Sequence, residues 1–480
     1  MTAQITLIKN IWAASLGALG ILSVVSCASA APDTPLPDAA KPWAELSDCF
    51  DRSVAVPVSD AEKMAQSCSG NSAAGDPARS GIERANAYFN AASAYNALAQ
   101  TGTTNALCRG AGACNQIALS LLDQSLASQQ DNQVSLTGSA AQIATNRRFI
   151  VRRTLERSRA LRGVANSGTV NASCGTRTNC LSDAAALLSS LTVDIPPVSE
   201  APEAARLGCE VLDTRWRVNS DLGREREYLY VEDLRRLVRE CPAYAASASD
   251  RLAEISFERA ERIREGLVQA DPPPSIEAAL GAITDYRSTL GTDRFKLPSY
   301  RGMGSVYQAL AKRDPSGART YLESAVDAYE KASILSASGT AAERAEDLEA
   351  LGTSMMQLAH ISGTPGSAER QTLSEGAANA LQDAVNLAPT PARYALLGDA
   401  YGDTGQCTLA IPAYKAAISG LAGAEKISTI LSLSEAYDAC GQPDLALQTL
   451  NQANAEGNVS ADVRYEIGRK EFENGSFPAA

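Results

Sequence analysis

Two matching stretches decide the fold: YALLGDAYGDTGQCTLAIPAYKAA at residues 394–417 and, 36 residues later, ILSLSEAYDACGQPDLALQTLNQA at residues 430–453. Each stretch reads as two helices joined by a short turn, with large and small residues at matching positions. In the first stretch Gly398, Ala410 and Ala417 are small, which lets two antiparallel helices approach closely. The repetition predicts a chain built of stacked helix pairs.

This pattern of large, small and aromatic residues resembles the tetratricopeptide repeat. The two clearest units carry it at Tyr394, Leu397, Gly398, Tyr401, Ala410, Tyr414 and Ala417, and at Ile430, Leu433, Ser434, Tyr437, Ala446, Leu450 and Ala453. Two upstream units with longer loops carry it at Tyr300, Met303, Gly304, Tyr307, Ala325, Tyr329 and Ala332, and at Leu348, Leu351, Gly352, Met355, Ala377, Leu381 and Ala384. The resemblance therefore covers about residues 298–454.

The resemblance implies an all-α fold, a right-handed superhelical solenoid of antiparallel helix pairs. The cysteines ahead of residue 245 predict a disulfide-stapled helical region before it. We expect a signal peptide at 1–26, a proline-rich tether at 27–44, helical hairpins with cysteine-closed loops at 45–245, and repeats at 246–480. Hairpins around 203–240 and 247–290 fit the architecture without the signature. The last repeat is incomplete at Ala480.

Eleven cysteines indicate an oxidising compartment, because assigning Cys27 to a lipid leaves an even ten. Pairing between sequence neighbours is the simplest hypothesis: 49–68, 108–114, 174–180, 209–241 and 407–440. The alternative is that several are buried free thiols. The two short loops belong to a duplication with a period of 66 residues, in which each unit reads as helix, cysteine-closed loop, helix.

The N-terminus reads as an export signal, with one lysine followed by an apolar run too short to span a membrane comfortably. Two cleavage interpretations stay open. The stretch ending in Cys27 resembles a bacterial lipobox, which would make this residue the lipid anchor of an outer-membrane lipoprotein. Cleavage after Ala30 would instead release a soluble periplasmic or secreted protein.

Composition argues against several functions. The net charge of -12 makes nucleic acid an unfavourable partner. The single histidine, His360, leaves no set for a hydrolase triad or a multi-histidine metal centre, and we interpret it as a helix cap or surface residue. No phosphate-binding or nucleophile-elbow motif occurs. We therefore predict a protein that is not an enzyme and needs no cofactor or metal.

Two sets of residues are candidate binding sites. In the resembled family, first-helix residues that are not used in packing line a concave groove for a peptide. Here the groove residues are Leu396, Asp399, Asp403, Leu431, Glu435 and Asp438, which favour a basic or amidic peptide with apolar anchors. The second set is an arginine stripe for an anion, formed by Arg147, Arg148, Arg152, Arg159 and Arg162. The alternatives are a solvated wall and a helix face paired with carboxylates.

These patterns together predict an extracytoplasmic scaffold or adaptor that binds other envelope proteins or their peptides during assembly of an envelope complex. One alternative is the docking arm of an envelope enzyme whose catalytic domain lies beyond Ala480 or in a partner. Another is a lipoprotein that binds a glycan or small ligand, although few tryptophans are present to stack on sugars.

Overall fold

A computed structural model describes residues 49, 58–69, 74–76, 78, 80–102, 107–130, 139–168, 174–191, 193, 195–197, 200–364, 366–457 and 460–473. Throughout these residues the regular structure is helical, with no β-strand. They form two compact units, divided between Leu187 and Leu188. The predicted signal peptide, the tether with Cys27 and the end of the last repeat at Ala480 lie outside the described residues and stay predictions.

The first unit contains helices of which α1 to α4 pack against their sequence neighbours. The helices are α1 (Ala61–Ser69), α2 (Gly81–Gln100), α3 (Ala111–Gln130), α4 (Ala140–Asn166) and α5 (Arg177–Ser189), the last of which extends across the divide. Helix α2 packs against α1, α3 and α4. Phe89 and Phe149 meet edge to face, with ring centroids 5.4 Å apart. Ser80 and Ser139 each begin a helix with a capping box, which satisfies the first free backbone N–H groups.

All five predicted disulfides are formed: 49–68, 108–114, 174–180, 209–241 and 407–440. Neighbour pairing is therefore confirmed, and these ten cysteines are not free thiols. Beside the first bridge, Asn90 donates from Nδ2 to the Cys49 carbonyl at 2.9 Å. This bond ties the bridged N-terminal segment to the middle of α2.

The 66-residue duplication appears as two loops with the same hydrogen bonds. The Cys108 carbonyl accepts from the N–H of Gly110, and the Cys174 carbonyl accepts from that of Thr176. In both loops the second cysteine then donates its N–H back to the residue four positions earlier. Equivalent positions behind the two loops are buried in both copies, such as Ala118 and its counterpart Ala184, and Leu122 and its counterpart Leu188. Each bridge thus closes the turn that begins a helix.

The second unit consists of helices that pack against their sequence neighbours. They are α6 (Pro202–Leu222), α7 (Glu227–Glu240), α8 (Pro242–Gln269), α9 (Ile276–Thr289), α10 (Asp293–Arg313), α11 (Ala318–Leu335), α12 (Ala341–Ile361), α13 (Ala368–Leu387), α14 (Pro391–Asp403), α15 (Cys407–Ile418), α16 (Gly423–Ala439), α17 (Pro443–Ala455) and α18 (Ala461–Glu473). The predicted repeats are the pairs α10–α11, α12–α13, α14–α15 and α16–α17. We call the first helix of each pair, and α18, an A helix, and the second a B helix.

The small residues of the signature lie where the A and B helices touch. A Cβ added at Gly304 would lie 2.6 Å from the Tyr329 ring, and one at Gly398 would lie 2.5 Å from Tyr414. On the B helices the alanines of the signature are buried, namely Ala325, Ala332, Ala377, Ala384, Ala410, Ala417, Ala446 and Ala453. Because the tyrosine ring packed on each glycine leaves no room for a side chain there, the small residues set the spacing within each pair. The predicted all-α fold of helix pairs with a disulfide-stapled N-terminal region is confirmed.

The hairpin α8–α9 continues this packing without the full signature. Ala282, Tyr286 and Thr289 on α9 are buried at the spacing that the B helices use for Ala325, Tyr329 and Ala332. The Tyr286 ring lies against Gly302 of α10, where an added Cβ would be 2.3 Å away. The hairpins expected before the signature region are therefore present, and this one has a B-type second helix.

Candidate functional site

Successive A helices contact each other through residues at fixed distances from the small position of the repeat. On α10, the Arg301 guanidinium forms two bonds to the Asp347 carboxylate of α12, at 2.6 and 2.9 Å. Two turns further on, Gln308 donates to the Ser354 hydroxyl at 2.8 Å. Arg301 lies three residues before the small glycine of its helix, and Asp347 lies five before that of its own. Gln308 lies four residues after the same glycine of α10, and Ser354 lies two after that of α12. Polar contacts across A helices thus follow a register set by the repeat.

The α12–α14 junction repeats the first of these contacts with the charges exchanged. The acidic residue now lies three residues before the small glycine of its helix, and the arginine lies five before that of the next A helix. Arg393 of α14 is buried and donates from Nε to Glu349 of α12 at 2.8 Å. It also donates to the Ala388 carbonyl at 2.7 Å. A buried guanidinium requires such partners, because an unpaired charge away from water is costly. The α12–α14 junction is therefore held by a half-buried ion pair.

Asp403, a predicted groove residue, has basic side chains beside it at this junction. His360 Nε2, on α12, lies 2.8 Å from Asp403 Oδ2, although the angles do not make a hydrogen bond. Arg370 of α13 approaches the other carboxylate oxygen at 3.6 Å. His360, which the sequence suggested to be a cap or surface residue, is half-exposed and belongs to the charge network beside the groove. Its partner is 43 residues away in the sequence, so no local pattern indicated the pair.

Asp438 is paired with a lysine of the following A helix. Lys470 of α18 forms an ion pair with Asp438 of α16. The lysine side chain is only 4% exposed, so most of its surroundings are protein. Two of the four predicted groove carboxylates therefore have cationic partners within the fold.

The remaining two carboxylates, Asp399 and Glu435, occupy equivalent positions on α14 and α16. Each follows the small residue of its helix, and they are 36 residues apart. Among the residues that the structure describes, no ion pair joins α14 to α16, and neither carboxylate has a cation within ion-pair distance. Glu435 is exposed and Asp399 is half-buried. We call Asp399 and Glu435, with the helix faces that carry them, the acidic junction.

The electrostatics of the acidic junction follow from burial and like charge. Burial raises the pKa of the Asp399 carboxyl above its ordinary value, and the carboxylates of Asp403 and Glu435 raise it further. A hydrogen bond from the Tyr414 hydroxyl at 2.8 Å and the nearby His360 act in the opposite direction. Burial also raises the pKa of Tyr414, which keeps this hydroxyl protonated as a donor. A cation brought to this surface would relieve the repulsion.

The two predicted apolar anchors have a partly structural role. Leu396 packs against the cluster that contains Met356 and Leu397, and Leu431 packs against the one that contains Leu450 and Val463. Both leucines are half-buried. Part of each side chain thus holds the helices together, and the rest remains available beside the carboxylates.

The predicted arginine stripe lies along α4 with very different exposures. Arg147 is exposed, Arg148, Arg159 and Arg162 are half-buried, and Arg152 is buried at 9%. Arg159 is paired with Glu156 at 2.8 Å. The stripe therefore includes side chains that the fold itself uses, and its role in anion binding stays a prediction.

Neither a metal site nor a membrane span is found within the described part of the chain. No group of three or more histidine, cysteine, aspartate or glutamate side chains there is placed to hold a metal ion. No described helix combines the length and apolar character needed to cross a bilayer.

Comparisons with known proteins give no family assignment. No family model matches the chain, and no curated protein matches it. Three solved structures are similar in part. The hetero-tetramer Cut9–Hcn1 of APC/C has a TM-score of 0.27 at 14% identity, covering 82% of this chain and 84% of that one. A circular tandem repeat protein with a novel repeat topology has a TM-score of 0.21 at 14% identity, with 87% and 91% covered. The human IFIT1 dimer with m7Gppp-AAAA has a TM-score of 0.17 at 12% identity, with 86% and 100% covered. Similarity at these TM-scores supports no inference about function.

Proposed function

We propose that this protein is an extracytoplasmic helical-repeat scaffold that binds a basic or amidic segment of another envelope protein across α14 and α16. The observation that carries the proposal is the acidic junction. Asp399 and Glu435 have no cationic partner within the described residues, whereas the neighbouring A-helix junctions carry charge pairs. A partner lysine or arginine would supply the missing charge.

The geometry suits an extended or helical peptide rather than a small molecule. The two carboxylates project from consecutive A helices, so a ligand that meets both must cross from one helix to the next. Half-buried Leu396 and Leu431 on the same helices offer apolar contact beside the charges. Charged groups at the rim would fix the register of the peptide, and the apolar contacts would contribute affinity.

Five disulfides support a location outside the reducing cytoplasm. We further propose that Cys27 carries a lipid and anchors the protein at the outer membrane from the periplasmic side. Palmitate labelling of cells tests this anchor. Labelling should be lost in Cys27→Ala. An unlabelled wild type, released as a soluble protein, would instead support cleavage after Ala30.

Binding is tested by crosslinking in cell envelopes followed by purification and mass spectrometry. Wild type is compared with Asp399→Lys/Glu435→Lys, which reverses the charge of the acidic junction. The matched control is Glu323→Lys/Asp327→Lys, which makes the same change in net charge on exposed positions of B helix α11. We expect partners to be lost in the first variant and kept in the control. Identical partner lists in all three proteins would exclude the acidic junction as the binding site.

A further inference from the structure

The five disulfides differ in how far the fold protects them. Four bridges are formed entirely by buried cysteines, of which Cys174 is the most exposed at 9%. The fifth, between Cys407 and Cys440, joins two half-buried residues. Because thiol–disulfide exchange requires direct approach of a thiolate to sulfur, exposure strongly affects which bridge reacts in the folded protein.

The Cys407–Cys440 bridge connects two turns of the same construction. Cys407 is the first residue of α15, and Cys440 is the C-cap of α16. In the turn before α15, Gly405 has a φ of +73°, and in the turn after α16, Gly441 has a φ of +70°. Each glycine is followed by a glutamine whose N–H donates to a tyrosine carbonyl five residues earlier. The bridge thus joins the A-to-B turn of one repeat to that of the next.

This link spans the junction that has no ion pair between its A helices. The α10–α12 and α12–α14 junctions are joined by Arg301–Asp347 and Arg393–Glu349, and α16 is joined to α18 by Asp438–Lys470. Between α14 and α16 the positions equivalent to these pairs hold no opposite charges, and Glu435 raises the pKa of Asp399. The disulfide therefore links covalently two repeats whose A helices are not joined by an ion pair among the described residues.

We propose that Cys407–Cys440 is a site of reversible thiol exchange, and that its reduction loosens the α14–α16 junction while the other four bridges stay intact. The co-reactant is a dithiol, either a small molecule or the active site of an oxidoreductase. One thiolate attacks a sulfur of the bridge and forms a mixed disulfide, and the other cysteine leaves as a thiolate. The second thiol of the reagent then displaces the remaining cysteine. Two electrons pass to the protein, and the reagent becomes a disulfide.

The test is graded reduction of the folded full chain with dithiothreitol, trapping of free thiols with N-ethylmaleimide, and peptide mapping of each cysteine pair. The internal control is Cys209–Cys241, which closes a loop of almost equal length, 32 residues against 33, with both cysteines in a buried cluster. We expect the 407–440 pair to be labelled at least about tenfold faster than the control pair, because access governs exchange. Equal or slower labelling would overturn the proposal.

Hydrogen exchange measured on the selectively reduced protein tests the structural consequence. Amides of α14–α16 should exchange faster after reduction, whereas those of α10–α12 should not change. The variant Cys407→Ser/Cys440→Ser should reproduce this pattern without reductant. Unchanged exchange in α14–α16 would contradict a bracing role. Neither readout requires a ligand, so the result is independent of the proposed binding function.

Discussion

The junctions α12–α14 and α14–α16 have the same helix arrangement and opposite electrostatics. In both, an A helix packs beside the next A helix in the register set by the small residues. At α12–α14, buried Arg393 meets Glu349, and His360 approaches Asp403. At α14–α16, the facing carboxylates Asp399 and Glu435 repel each other. The repeat therefore determines the packing of the helices, whereas residues beside the packed surface determine the charge of each junction.

Disrupting the packing that both junctions share should have the largest effect. In Gly398→Ala the new Cβ would lie 2.5 Å from the Tyr414 ring, which must move and weaken its bond to Asp399. We expect the free energy of local opening in α14–α16 to fall by about 1–3 kcal/mol, measured by hydrogen exchange. The control is Gly468→Ala on α18, where the added Cβ meets nothing within 4 Å. The control should be neutral or stabilise its helix by up to about 1 kcal/mol. Equal effects would mean that the small position does not set the spacing.

Removing the ion pair should affect the α12–α14 junction selectively. Arg393→Gln leaves Glu349 and the Ala388 carbonyl without their charged donor. We expect α12 and α14 to lose about 1–2 kcal/mol of protection in hydrogen exchange, because the removed group is buried. The control is Arg319→Gln on α11, where the ion pairs are exposed and should contribute nothing measurable. Unchanged protection in α14 would show that the ion pair does not stabilise the α12–α14 junction.

A smaller effect should appear in the pH dependence of the acidic junction. Because burial raises the pKa of Asp399, the folded state retains a proton that the unfolded chain has released. The stability linked to this proton is fully present below the ordinary aspartate pKa of about 3.9 and is lost as pH rises through the raised value. Asp399→Asn cannot ionise and can still accept from Tyr414. It should therefore be more stable than wild type near neutral pH.

Thermal unfolding followed across pH measures this difference. The stabilisation in Asp399→Asn should shrink as pH falls, and the two proteins should converge below the ordinary aspartate pKa. A difference in stability between the two proteins that stayed constant with pH would show that burial and like charge do not disfavour the ionised Asp399 carboxylate.

Much of the fold could be predicted because it depends on local spacing. Gly398 and Tyr414 lie in one short hairpin, so their contact is readable from one repeat. The disulfides followed from sequence neighbours, since the bridged segments are close along the chain. The α8–α9 hairpin was only partly readable, because its B helix carries Thr289 where the signature expects alanine.

The sequence predicted which charged residues lie at the site, but it did not predict which of them form ion pairs. All four predicted carboxylates project from A helices, yet Asp403 and Asp438 are paired with His360 and Lys470 from other helices. Those partners lie 43 and 32 residues away, and contact depends on the angle between helices rather than on spacing within one. The structure therefore reduces four candidate carboxylates to Asp399 and Glu435.

The most direct test of the acidic junction is binding of a cationic peptide measured by fluorescence anisotropy. The probe is a labelled peptide of alternating lysine and leucine, with the glutamate–leucine peptide as its counterpart. Wild type, Asp399→Asn/Glu435→Gln and the control Glu323→Gln/Asp327→Asn are compared at equal salt. Each variant removes two carboxylates, so the two variants have the same net charge. Wild type and control should bind the lysine peptide alike, and the junction variant should bind it at least about tenfold more weakly. Equal affinity of all three proteins for the lysine peptide would contradict the account.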